Sequence, residues 1–138
     1  MFSPPHRGRR ARWIISIFSA ILFFWLRLED NSIWPVVVLG AGLAALTVGW
    51  TTMGELGGHE IRTRYVLPGA ALLGALTGVG AALATAALMV VKTGMHGHLF
   101  PDYPPGEIIA ILQRIPIWAL AGGMTGLGLA LAWRGRHD

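Results

Sequence analysis

Four apolar runs separated by short polar stretches decide what this chain can fold into: residues 13–26, 33–53, 66–91 and 115–133. A helix rises 1.5 Å per residue, so about 20 apolar residues cross a hydrocarbon core of about 30 Å. The second and fourth runs have that length. The third exceeds it and must tilt or protrude. The first holds 14 residues, about 21 Å of helix, and spans only if Arg12 and Arg27 snorkel toward the headgroups. Its basic start, HRGRRAR, suits a secretory signal or, more loosely, a twin-arginine one. However, RLEDNS follows with no small-x-small cleavage site, so the run reads as a retained span.

Composition agrees with lipid as the solvent. Hydrophobic residues make up 54% of the 138-residue chain and charged ones only 13%, where soluble domains carry roughly 25% charge. Mean hydropathy is +0.56. The absence of cysteine removes disulfides, thiolate metal sites and cysteine nucleophiles. The basic charge gathers at the ends of the runs instead of forming a stripe, which argues against nucleic acid.

Aromatic residues mark the same boundaries. Trp13, Trp25, Trp34, Trp50, Trp118 and Trp133 all lie near run ends, where indoles anchor at the headgroup level. Orientation follows from the arginines. With four spans, Arg7, Arg9, Arg10, Arg12, Arg62, Arg64, Arg134 and Arg136 share one side, against Arg27, Lys92 and Arg114 on the other. The positive-inside rule then places both termini in the cytoplasm. The expected fold class is an all-α membrane protein of four transmembrane helices, N-in and C-in. It forms a single domain over 1–138 with a basic tail at 1–12, and a bacterial inner membrane is the simplest location.

Small residues predict how the bundle closes. Ala70, Gly74, Gly78, Ala82 and Ala86 recur every four residues in the third run, and Gly122, Gly126 and Ala130 do so in the fourth. In lipid, helices associate by close backbone approach at such faces. A Gly-rich antiparallel pair is therefore expected, with Gly74, Gly78, Ala82, Gly122, Gly126 and Ala130 as its packing residues. The stretches PGAALLGALTGVGAALA from Pro68 and PIWALAGGMTGLGLALA from Pro116 agree at ten of seventeen positions, 48 residues apart. Read one way, this is an inverted repeat of the kind transporters use. The plainer reading is shared Gly/Ala composition, since the repeat covers single helices. Thr77 and Thr125 occupy equivalent places in it and bond either across the pair or back to their own helix.

Polar chemistry is confined to the loops. The spans contain no Asp, Glu, Lys, Arg or His away from an end, a pattern unlike that of pumps and proton-coupled transporters. In KTGMHGHLFPDYPPGE, His96 and His98 point the same way if the segment is extended. Asp102 supplies an oxygen ligand to complete a divalent-metal set; no other cofactor is expected. A lone H-x-H is weak, and the plain reading is a stiff polar loop with Lys92 at the headgroup level. After it, Ile108, Ile111, Leu112 and Ile115 have helical spacing and predict a short interfacial helix before Pro116. The loop GELGGHEIRTR carries His59, Glu55 and Glu60, but Gly57 and Gly58 break any helix joining them.

No nucleophile elbow, phosphate loop or catalytic carboxylate pair occurs, so an enzyme is unsupported. The expected role is an accessory or assembly subunit of a larger membrane complex, with lipid and other membrane subunits, or itself, as partners. The alternatives are a homo-oligomeric passive pore or transporter, and an outward-facing metal-binding protein.

Overall fold

A computed structural model describes residues 8–29, 31–96 and 101–136 of the chain. It is all-helical, with α1 (Arg9–Leu26), α2 (Ile33–Glu55), α3 (Thr63–His96), α4 (Pro105–Gln113) and α5 (Ile115–Arg134). Among the described residues three helices are long and apolar enough to cross a membrane, namely α2, α3 and α5. The first run, expected as a fourth span, forms an 18-residue helix that opens with RRAR, and its arginines remove it from that class.

Helix ends follow local chemistry. α2 stops where Leu56 caps it and Gly58 adopts φ 80°, a left-handed conformation that glycine accepts without strain. Pro105 opens α4, whose first turn holds Glu107 near the positive end of the helix dipole. Pro116 has no N–H to donate to the carbonyl four residues back. The predicted interfacial helix therefore ends at Gln113, and α5 begins at Ile115 after a break at Arg114. The third run becomes α3, of 34 residues. At about 51 Å it is far longer than a hydrocarbon core.

α3 is the centre of the bundle, packed most extensively against α5, then α2, then α4, while α1 rests mainly on α2. The α3–α5 contact is a meeting of backbones. A Cβ built on Gly74 would run into the Gly122 carbonyl, and one on Gly78 into the Trp118 carbonyl. Conversely, one on Gly122 would strike the Gly74 carbonyl and one on Gly126 the Ala70 carbonyl. Ala82 and Ala130 are both buried. The 48-residue offset turns the Gly78–Trp118 contact into Gly126–Ala70 and maps Gly74–Gly122 onto itself. The repeat therefore coincides with a local two-fold axis between α3 and α5. Thr77 and Thr125 do not bridge the pair; each hydroxyl donates back to its own helix, to the Leu73 and Ala121 carbonyls, at 2.8 Å.

α2 meets α3 nearer its C-terminal end. Thr85, fully buried, sits against Gly40, where an added Cβ would also stand 2.7 Å from the Thr85 nitrogen. The Thr85 hydroxyl has no conventional hydrogen bond. The Gly40 Cα–H that a Cβ would replace points at its oxygen, the geometry of a weak Cα–H···O contact.

These contacts set the cost of substitution. Gly78→Ala drives a methyl into backbone that cannot yield, and overpacking should cost about 1–3 kcal/mol. Gly69→Ala, with nothing within 4 Å, should be neutral or gain up to about 1 kcal/mol from helix propensity. SDS-titration unfolding in detergent measures both, and equal losses would disprove the close α3–α5 contact.

Candidate functional site

The polar residues collect at one end of the bundle, where α3 emerges and the chain turns into α4. Lys92 lies on the helical face already occupied by Ala81, Thr85, Leu88 and Met89, all buried. It is 0% exposed, and its Nζ stands 4.1 Å from the centre of the Trp25 ring. An ammonium taken out of water must recover its solvation from partners. An indole face supplies part of it, about 2 kcal/mol when the pair is desolvated. Lys92, expected at the headgroup level, lies on the inward face of α3, which runs on past Val91.

Trp25 is enclosed by the same packing. It was expected as an interfacial anchor, and it is 5% exposed within a cluster formed with Leu26, Val36, Leu39, Leu88, Met89 and Ile111. The other five tryptophans are more exposed. Trp13 and Trp34 are exposed, and Trp50, Trp118 and Trp133 are half-buried.

The turn before α4 is fastened to this cluster. Tyr103 is 1% exposed; its hydroxyl donates to the Ser32 carbonyl at 3.0 Å and its backbone N–H donates to Thr93 Oγ1 at 3.3 Å. One tyrosine thus ties the loop to the start of α2 and the end of α3. Beside it, His96 Nδ1 lies 2.5 Å from Asp102 Oδ2, with both side chains largely shielded. Two of the three expected metal ligands are therefore adjacent, while His98 lies outside the described residues. Among the described residues no group of three or more His, Cys, Asp or Glu gathers around a common point. His96 and Asp102 offer one nitrogen and one oxygen donor, or a hydrogen-bonded pair needing no ion.

The opposite end of the bundle holds an apolar groove of about 570 Å³, bounded by the C-terminal half of α2, the start of α3 and the end of α5. Its walls include Ala45, Gly49, Gly69, Leu73, Leu129 and Trp133. The Thr77 hydroxyl on its edge is already committed to Leu73. Sequence reasoning missed this groove because it depends on where α2 leaves α3. It also missed the buried lysine, although the spacing of Ala81, Thr85, Leu88 and Lys92 carries the signal. Glu55 at the end of α2, and His59 and Glu60 on the loop that follows, are exposed and not assembled into a site.

Among the described residues the chain is thus all-helical, with three helices long and apolar enough to cross a membrane. No protein family matches it, and neither a curated protein nor a solved structure does.

Lys92 and Tyr103 can be tested as fasteners. Lys92→Ala should cost about 2–5 kcal/mol, as for other long buried side chains, and Lys92→Met, which keeps the stem over Trp25, clearly less. Tyr103→Phe should cost about 1 kcal/mol for one hydrogen bond. Thermal unfolding in detergent reads all three. Equal losses for the Ala and Met variants would show that the charge, not the stem, carries the contribution.

Proposed function

We propose that this chain is an accessory or assembly subunit of a larger membrane complex, in a bacterial inner membrane. The observation that carries this reading is how its surfaces are used. The polar groups described above are spent on the chain's own architecture: Lys92 on Trp25, Tyr103 on Ser32, His96 on Asp102, and both mid-helix threonines on their own carbonyls. Apolar helix surface remains in excess, above all on α5, where Ile117, Leu120, Met124 and Leu129 are each 65–74% exposed. Such a molecule is built to pack, and membrane helices pack on other helices through shape.

The proposed topology has four spans with both termini cytoplasmic. α1 crosses as the fourth, its arginines reaching the headgroups. Because the chain has no cysteine, an introduced one is its only thiol. With four spans, Gly8→Cys and Thr63→Cys should react with an impermeant maleimide only after the membrane is opened, and Gly106→Cys in intact cells. Should Gly8→Cys label in intact cells while Thr63→Cys does not, α1 lies on the membrane and three helices cross.

A native mass spectrum of protein extracted gently from its own membrane tests the role. Foreign subunits in the particle are expected. A closed ring of this chain alone would overturn the reading in favour of a passive pore. One excess metal mass per chain, lost in His96→Ala, would instead favour the metal-binding alternative at His96 and Asp102.

A further inference from the structure

The groove has a counterpart inside the molecule. The 48-residue offset that relates α3 to α5 carries Gly80 onto Gly128, Ala81 onto Leu129, Ala82 onto Ala130 and Thr85 onto Trp133. On α3 this is the side that receives α2, with Gly80 facing the Ala44 methyl and Thr85 against Gly40. Ala81, Ala82 and Thr85 are at most 3% exposed there. On α5, Leu129, Ala130 and Trp133 line the groove, and a Cβ built on Gly128 meets nothing within 4 Å. One half of the pair has its flanking helix and the other does not.

We propose that the groove is the seat of a transmembrane helix from another subunit, placed against α5 as α2 is placed against α3. The proposal rests on the accessory-subunit reading and names the contact through which it operates. The local two-fold axis reverses direction, so the incoming helix runs antiparallel to α2 and begins at the end where α2 finishes. Its floor of Ala45, Gly49, Gly69 and Gly74 admits close approach or the bulky side chains of a partner, as small-residue membrane interfaces do.

Charge specifies the partner further. The groove mouth is flanked by Arg62, Arg64, Arg134 and Arg136, all exposed, against Glu55 and Glu60. Arg64 lies 4.6 Å over the ring of Tyr65, which itself lines the groove. A partner helix entering here should carry acidic residues just before its apolar run. They would face the arginines and also favour its own helix N-terminus. A second copy of this chain fits poorly, because its long helices that run in the required direction, α1 and α3, begin with Arg9, Arg10 and Arg12 or with Arg62 and Arg64 and would bring like charge to the same mouth.

The test places a benzophenone amino acid singly at Leu73 or Leu129 in the full chain, in its own membrane, with Leu120 and Met124 on the opposite face of α5 for comparison. The expected result is a polypeptide adduct from both groove positions, whether or not the apolar outer face of α5 at Leu120 and Met124 gives one of its own. The groove adduct should be reduced at least tenfold by Ala45→Phe, which fills the groove from an exposed position. Peptide mapping should place the adduct in an apolar run of about 20 residues preceded by acidic residues. An adduct of lipid mass, or of 14.8 kDa for a second copy, would overturn the proposal. Foreign subunits in the native spectrum, with adducts only from Leu120 or Met124, would preserve the accessory role and sink the groove contact. Absence of both foreign subunits and polypeptide adducts would remove both.

Discussion

The meeting of two helix backbones at Gly74, Gly78, Gly122 and Gly126 fixes the rest of this structure. In lipid no hydrophobic gain drives helices together, so dispersion contact over a close approach must do the work. Four glycines remove the side chains that would hold α3 and α5 apart, at a propensity cost of about 1 kcal/mol each by soluble-helix measures. With α5 held this tightly, α3 has only part of its circumference left. α2 takes it toward the C-terminal end of α3, and leaves it toward the other end. The groove is what that divergence leaves open.

Tight packing by glycine has a second consequence. A helix of 34 residues extends well beyond the thickness of a hydrocarbon core, and its last turns must be held by something other than lipid. Here Lys92, Tyr103 and the His96–Asp102 pair are gathered. Polar groups in such a place are tolerated when enclosed by protein and supplied with partners. The Trp25 ring and the Tyr103 bonds do this from three separate segments: the end of α1, the start of α2 and the turn into α4. The cluster therefore closes the bundle end in the way a cap closes a helix.

Much of the architecture was legible in the sequence, for identifiable reasons. Apolar runs of spanning length and glycines at four-residue spacing are local signals, and lipid enforces them because every backbone group must be satisfied within its own helix. The break before Pro116 and the turn at Gly58 were legible too, since each follows from backbone chemistry. The fates of Lys92 and Trp25 were harder to read, because both stand at run ends where lipid-anchoring and burial use the same residue types. Only the helical register with Thr85 and Leu88 separates the two, and applying it requires knowing that α3 continues past Val91. The groove had no local signal at all: it is bounded by three helices distant in sequence, α2, α3 and α5.

The first helix shows where sequence rules based on length meet their limit. From Arg9 to Leu26 it has 18 residues, about 27 Å of rise, but its apolar part is shorter and three arginines occupy its first turn. It is pinned at one end, where Trp25 and Leu26 enter the core, and packed midway by Phe18 over Gly42. Its first turns carry little protein contact of their own. In the proposed four-span topology the arginines set the depth of that end, because their stems can lie along lipid while their guanidinium groups stay with phosphate and water. A helix held by packing at one end and by charge at the other can cross a bilayer with fewer apolar residues than an isolated span needs. Length and hydropathy alone leave that second restraint out, and so they set α1 apart from α2, α3 and α5.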